Sequence, residues 1–143
     1  MLMRHEGERL RVYDDATGKP IGSGDTLIGH PTIGVGRALD VNGLSHDESM
    51  YLLHSDVNRW SAALRATYAW FPELSAPRQD AIIDMVHNLG LHGFAQFRQM
   101  IGHLERKEWS DAAKQGLDSH WATQVGARAN ELMAMIETGQ YQT

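Results

Sequence analysis

Two carboxylates and one threonine are the residues of this chain with chemistry to offer in an ordered pattern. Glu6 is followed at once by Gly7, Asp15 stands nine residues after Glu6, and the run Thr32-Ile33-Gly34-Val35-Gly36 comes later. Between them, Tyr13-Asp14-Asp15 leads into Thr17-Gly18. Two carboxyl groups in unlike surroundings can divide acid and base work, one staying protonated near neutral pH while the other stays ionised. Taken singly, each has a plainer reading. A glutamate at a helix end is commonly a solvated cap or dipole partner, and Asp-x-x-Gly favours a turn. The signal lies in the ordered set.

These side chains need elements to hold them. Residues from about 10 to 43 are rich in glycine, with Pro20 and Pro31, and β-branched residues lie between them. That texture predicts short strands joined by turns. Strand alternation puts Asp14 on the face opposite Asp15, as a solvated side chain. From residue 44 the pattern turns helical. Ser45-His46-Asp47-Glu48 reads as a capping box, followed by Leu53, Val57, Trp60 and Leu64 on one face. A second helix is expected from about Ser75, with Pro77 in its first turn, Ile82, Met85, Val86 and Leu89 inward, and Gly90 as its stop. A third carries Phe94, Phe97, Ile101 and Leu104, a fourth Trp109, Ala112, Ala113 and Leu117. The last carries Val125, Ala129, Leu132, Met133 and Ile136 before Gly139. The expected fold class is α+β: one domain over 1–143, with a small antiparallel sheet lobe at about 8–43 and a mainly helical lobe at 44–143. A ligand is expected in a cleft between the two lobes.

The 143 residues suffice for a compact domain with a core of its own, at 42% hydrophobic and 22% charged residues. No cysteine is present, so neither a disulfide nor a thiol nucleophile enters the chemistry. The 13 basic and 18 acidic residues give a net charge of −5 without a basic block, which argues against nucleic acid as a partner. No signal peptide or membrane-spanning run is read in the chain, and the polar face of the Met-rich last helix is not strongly basic. Eight histidines raise the question of zinc, but there is no His-Glu-x-x-His, and His87 and His92 straddle the expected helix stop. No metal and no cofactor are expected. Gly34 and Gly36 lack the Gly-Lys-Ser/Thr ending of a phosphate loop and are expected to shape the strand.

Glu6-Gly7, Tyr13-Asp14-Asp15 and Thr32-Ile33-Gly34-Val35-Gly36 together resemble the phage-type lysozymes and endolysins of glycoside hydrolase family 24. The similarity continues through Arg78 to Gly90, which looks like the family's central buried helix, and through Trp109-Ser110-Asp111-Ala112-Ala113, Trp121 and Arg128-Ala129. The resemblance implies a lysozyme-like fold and a muramidase acting on bacterial peptidoglycan, with Glu6 as general acid and Asp15 as the ionised carboxylate. It also implies that Thr32 helps to hold the attacking water, and that the anomeric carbon is inverted. Inversion calls for carboxyl groups about 6.5–9.5 Å apart, against about 5–5.5 Å for a covalent intermediate. Arg128 matches an arginine that pairs with the acid, while Trp121 is expected to buttress the site and Asn88 to hydrogen-bond saccharide. The setting implied is phage lysis: a monomer made in the host cytoplasm that reaches the periplasmic wall with help from a holin.

The chain departs from the family pattern in three places. Only five residues precede Glu6, so either the first helix is short or the chain is truncated ahead of it. The stretch from Asp15 to Thr32 is long, and its extra segment at 19–31 predicts a longer hairpin or loop, with Thr26 as a weaker substitute for Thr32. Arg37 stands after the Thr-Ile-Gly-Val-Gly run where a histidine is familiar. A lytic transglycosylase is the nearest rival activity. An inactive peptidoglycan-binding module and a membrane-acting lysis factor are rivals of other classes.

Overall fold

The computed structural model describes residues 1–143. In chain order the elements are α1 (Leu2–Glu6), β1 (Arg9–Asp14), β2 (Pro31–Gly34), β3 (Arg37–Ala38), α2 (Leu39–Asn42), α3 (His46–Thr67), α4 (Ala76–Ala95), α5 (Arg98–Glu105), α6 (Trp109–Leu117), α7 (His120–Val125) and α8 (Ala127–Thr138). A single 3₁₀ turn, Phe71–Glu73, precedes α4. The class is α+β, a small antiparallel sheet followed by a mostly helical body. The backbone divides into two compact units, Met1–Tyr51 and Leu52–Thr143.

In the first unit the strands lie in the order β1-β2-β3. Tyr13 pairs with Thr32 and Arg9 with Gly34, with an irregularity in register between them, while Thr32 and Ile33 pair with Ala38 and Arg37. The expected long loop is present at residues 15–30, touching the sheet through one bridge between Tyr13 and Pro20. The capping box forms as read: the Glu48 N–H donates to Ser45 Oγ at 3.2 Å and the Ser45 N–H to the Glu48 carboxylate at 2.7 Å. Arg37 places two N–H groups on the same carboxylate, at 2.6 and 3.0 Å, and its Nε–H on the Gly43 carbonyl. The arginine thus ties β3 to the first turn of α3 through a bidentate fork.

This unit contains no buried apolar side chain; its two buried residues are Asp14 and Thr32, at 5% and 3% exposure. Hydrogen bonds to buried polar groups therefore organise the sheet unit. The solvated position expected for Asp14 is corrected. The strand ends at this residue, alternation ceases to apply, and the carboxylate turns inward to meet the loop.

The hydrophobic core lies in the second unit. Leu64, Phe71, Ile82, Met85, Val86, Phe94, Leu104 and Ile136 are fully buried there, each worth about 1.5–3 kcal/mol relative to exposure. Met133 and Met135 belong to this core. Pro77 stands in the first turn of α4, where its missing N–H costs no hydrogen bond. Gly90 does interrupt the helix, at φ 72° and ψ 165°, but helical structure resumes as far as Ala95. The single third helix of the sequence reading is therefore divided: Phe94 lies in the last turn of α4, Phe97 caps the N-terminus of α5, and Ile101 and Leu104 lie on α5. The last helix is divided as well, at Gly126, into α7 and α8.

Candidate functional site

Asp14 ends β1 and accepts three backbone N–H groups, from Ala16 at 2.9 Å, Ile28 at 2.7 Å and Gly29 at 3.0 Å. The Ile28 N–H is the largest reason that its carboxyl lies below the usual aspartate range, and burial opposes the effect. This one side chain fastens both ends of the 15–30 loop. The adjacent Asp15 is exposed, and its Oδ1 accepts the His30 N–H at 2.7 Å. The Asp15 N–H donates in turn to the His30 carbonyl at 3.1 Å. That carbonyl also accepts the Thr32 hydroxyl at 3.1 Å. One peptide segment, His30, thus receives both Asp15 and Thr32.

The side chain of His30 is held as well, with Nδ1 2.8 Å from Asp40 Oδ2 at the start of α2. The hydrogen bond to Asp40 raises the imidazole above its ordinary range, and the charges of Asp40, Asp15 and Asp14 act in the same direction. Asp40 is lowered reciprocally.

Glu6 is the last residue of α1 and is exposed. Its carboxylate lies over Gly36 in the β2–β3 turn; a Cβ at that glycine would stand 2.9 Å from Glu6 Oε2 and 3.3 Å from Cδ. Gly29 bears the same relation to Asp15, since a Cβ there would collide with Asp15 Oδ1 and with Ala16. Each carboxylate therefore rests on a glycine backbone, and the two glycines flank β2. The structure thereby brings Glu6, Asp15 and Thr32 onto the two ends of one strand. Thr26, by contrast, lies out in the loop among the residues that line a cavity there.

The remaining candidates lie in the helical unit. The Trp121 Nε1–H donates to Asn88 Oδ1 at 3.0 Å, which leaves the exposed Asn88 amide free to donate. Trp121 is buried, with Phe97 edge-on to it at a ring separation of 6.1 Å. Arg128 places Nε and a terminal nitrogen on Asp84 Oδ1, at 2.8 and 2.6 Å.

Sequence reasoning missed the anchoring by Asp14, the His30–Asp40 pair and the Arg128–Asp84 pair. The last joins residues 44 apart, and nothing in local spacing signals it. For metal, the tightest set of potential ligands is His103, Glu108 and Asp111. Arg106 already donates to Glu108 at 3.0 Å, and His103 lies 2.5 Å from the same carboxylate. Glu108 is consequently lowered to about 2, by Arg106 first and His103 second. A resident guanidinium thus supplies the positive charge that a metal would otherwise bring.

A family described as phage lysozyme matches residues 3–136. The pre-baseplate central spike protein Gp5 of Enterobacteria phage T4 is 29% identical over the whole chain, which spans 28% of that protein's length. Probable T4-type lysozymes 1 and 2 of Dictyostelium discoideum are 28% and 27% identical; each match covers 97% of this chain and 92% of the relative.

Proposed function

The chain belongs to the phage lysozyme family of glycoside hydrolases, and from that premise we propose that Glu6 and Asp15 are the catalytic pair of a muramidase. The bond cut is the β-1,4 linkage between N-acetylmuramic acid and N-acetylglucosamine of peptidoglycan. Glu6 gives a proton to the leaving oxygen, while Asp15 stays ionised and readies a water that attacks the anomeric carbon with inversion. The observation that carries this reading is the seating of both exposed carboxylates on glycine backbone at the two ends of β2. The His30 N–H fixes one Asp15 oxygen and leaves the other free to orient water.

Thr32 acts beside this pair. Its hydroxyl hydrogen is given to the His30 carbonyl, so its oxygen is left as an acceptor for water, and the same bond steadies the peptide that holds Asp15. Asn88, with its carbonyl taken by Trp121, offers its amide hydrogens to saccharide. Arg128 is a supporting residue in the same reading. The biological role is lysis of a phage host: a monomer made in the host cytoplasm, admitted to the periplasmic wall through the action of a holin.

Clearing of outer-membrane-permeabilised Gram-negative cells tests the assignment. Glu6→Gln should reduce the rate by about 10²–10⁴-fold with an unchanged circular-dichroism spectrum. Equal clearing by both proteins removes Glu6 as the acid. Mass spectrometry of the products should give reducing-end muropeptides, whereas anhydro sugars would make the protein a lytic transglycosylase. Clearing by neither protein, with retention on the wall, would make it a binding module.

A further inference from the structure

Asp15 and Thr32 both depend on His30, and His30 stands where the chain is least restrained. Its N–H donates to Asp15 Oδ1 at 2.7 Å, and its carbonyl accepts the Asp15 N–H and the Thr32 hydroxyl, each at 3.1 Å. Gly29 comes immediately before it. That position has to be bare, because a Cβ there would collide with Asp15 Oδ1 and with Ala16. A glycine is also the residue with the most backbone freedom. On the carbonyl side, Pro31 favours extended backbone in the residue before it. On the N–H side, the nearest restraint is the bond from the Gly29 N–H to Asp14 at 3.0 Å, one freely turning glycine away. Yet the N–H is the group that holds the carboxylate.

The side chain of His30 supplies the missing restraint. Thr32 pairs with Ala38 and Ile33 with Arg37 across β2 and β3. His30, two residues before Thr32, and Asp40, two after Ala38, fall opposite each other in that antiparallel register. The ladder itself has ended there, since β2 begins at Pro31 and Asp40 already belongs to α2. Imidazole Nδ1 and Asp40 Oδ2 close the gap at 2.8 Å. A cross-strand side-chain pair thus carries the register beyond the last backbone pair. The bond to Asp40 first, and the charges of Asp40, Asp15 and Asp14 with it, keep the ring protonated to higher pH than a free histidine. A protonated ring makes the bond charge-assisted.

We propose that His30, tethered through its imidazole to Asp40, is a positioning residue for Asp15 and Thr32. The proposal rests on the muramidase reading and deepens it. His30 acts through its neighbours: the tether fixes the direction of the N–H that aims the Asp15 carboxylate and of the carbonyl that aims the Thr32 hydroxyl. Both groups are assigned to the same water, so a turn of this one residue would misplace them together.

The native chain, His30→Ala, Asp40→Ala and the double variant decide this, assayed on soluble uncrosslinked peptidoglycan strands. Each single substitution should lower kcat by about two- to fivefold, the scale of an exposed ion pair, at unchanged KM. The double variant should fall no further than either single one, as expected of two groups that act as a unit. In Asp40→Ala, hydrogen exchange should quicken at the His30 N–H, while the Ile28 and Gly29 amides held by Asp14 keep their protection. Additive losses in the double variant, or a rise in KM in place of the fall in kcat, overturn the role. Fast exchange spread over the whole loop would also overturn it, by making the pair a contact of folding only. A native protein that cuts no peptidoglycan fails the muramidase reading itself; an active native protein indifferent to both substitutions overturns the positioning role alone.

Discussion

The chemistry proposed here depends on two carboxylates being held within a fraction of an ångström, and the residues that hold them are glycines. Gly36 lies under Glu6, where a methyl group would push the carboxylate aside, and Gly29 lies under Asp15, where a methyl group would also meet the Ala16 backbone nitrogen at 2.8 Å. Gly36 also has φ 71°, where an L side chain is strained. Gly36→Ala and Gly29→Ala should each lower kcat by about 10- to 100-fold, the usual penalty for displacing a reacting group by about 1 Å. Steady-state rates measured beside the melting temperature of the helical unit check this. A parallel fall in both would mean that the glycines serve folding only.

Among the elements, two breaks carry separate consequences. The Gly90 interruption of α4 has φ 72° and ψ 165°, a conformation close to exclusive to glycine. Gly90→Ala should cost roughly 1–3 kcal/mol, read as a lowered denaturation midpoint. The long loop depends on Asp14 in a different way. Asp14→Ala leaves three backbone N–H groups without their acceptor. The expected result is fast hydrogen exchange at Ile28 and Gly29, together with reduced activity, because the peptide that holds Asp15 follows directly at His30. Amides of the buried face of α4, at Ala81, Ile82 and Met85, should keep their protection. Unchanged exchange at Ile28 would mean that the loop is held by other contacts.

At the scale of the whole molecule, the two units are stabilised by different physics. The helical unit has a contiguous apolar core, whereas the sheet unit relies on charged hydrogen bonds. Asp14, Asp40 and Glu48, all in the sheet unit, are lowered from their ordinary ranges by backbone N–H groups, His30, Ser45 and Arg37. Depressed carboxylates contribute stability that is present above their unfolded values, about 3.9 for Asp and 4.3 for Glu, and is lost as pH falls through the folded values. His30 is raised, so its contribution is complete below about 6.5 and fades as pH rises through its higher folded value. The sheet unit should therefore be most stable between about pH 4.5 and 6.5. Amides within residues 9–38 should lose protection outside that window, on the acid side before the core of the helical unit does. Replacing His30 with Asn should remove the loss on the alkaline side. A flat profile across pH 3–9 would place the stability of this unit elsewhere.

Much of this architecture is legible in sequence because it is local. The Ser45/Glu48 box, Pro77 at a helix start and Gly90 at a break act within one turn, and the apolar faces of the helices follow from period alone. The candidate carboxylates could be read too, as an ordered set with a family resemblance. What the tertiary structure alone decided is how they are held. Asp14 turns inward to amides 14 and 15 residues away, Asp15 and Thr32 meet at the His30 peptide, and Arg128 finds Asp84 across 44 residues. Such bonds pair groups that only the folded backbone brings together, and neither residue spacing nor charge pattern encodes them. The division of the last helix at Gly126 belongs to the same class. A periodic apolar face continues across the break, and periodicity registers which side is buried, not where the backbone changes direction.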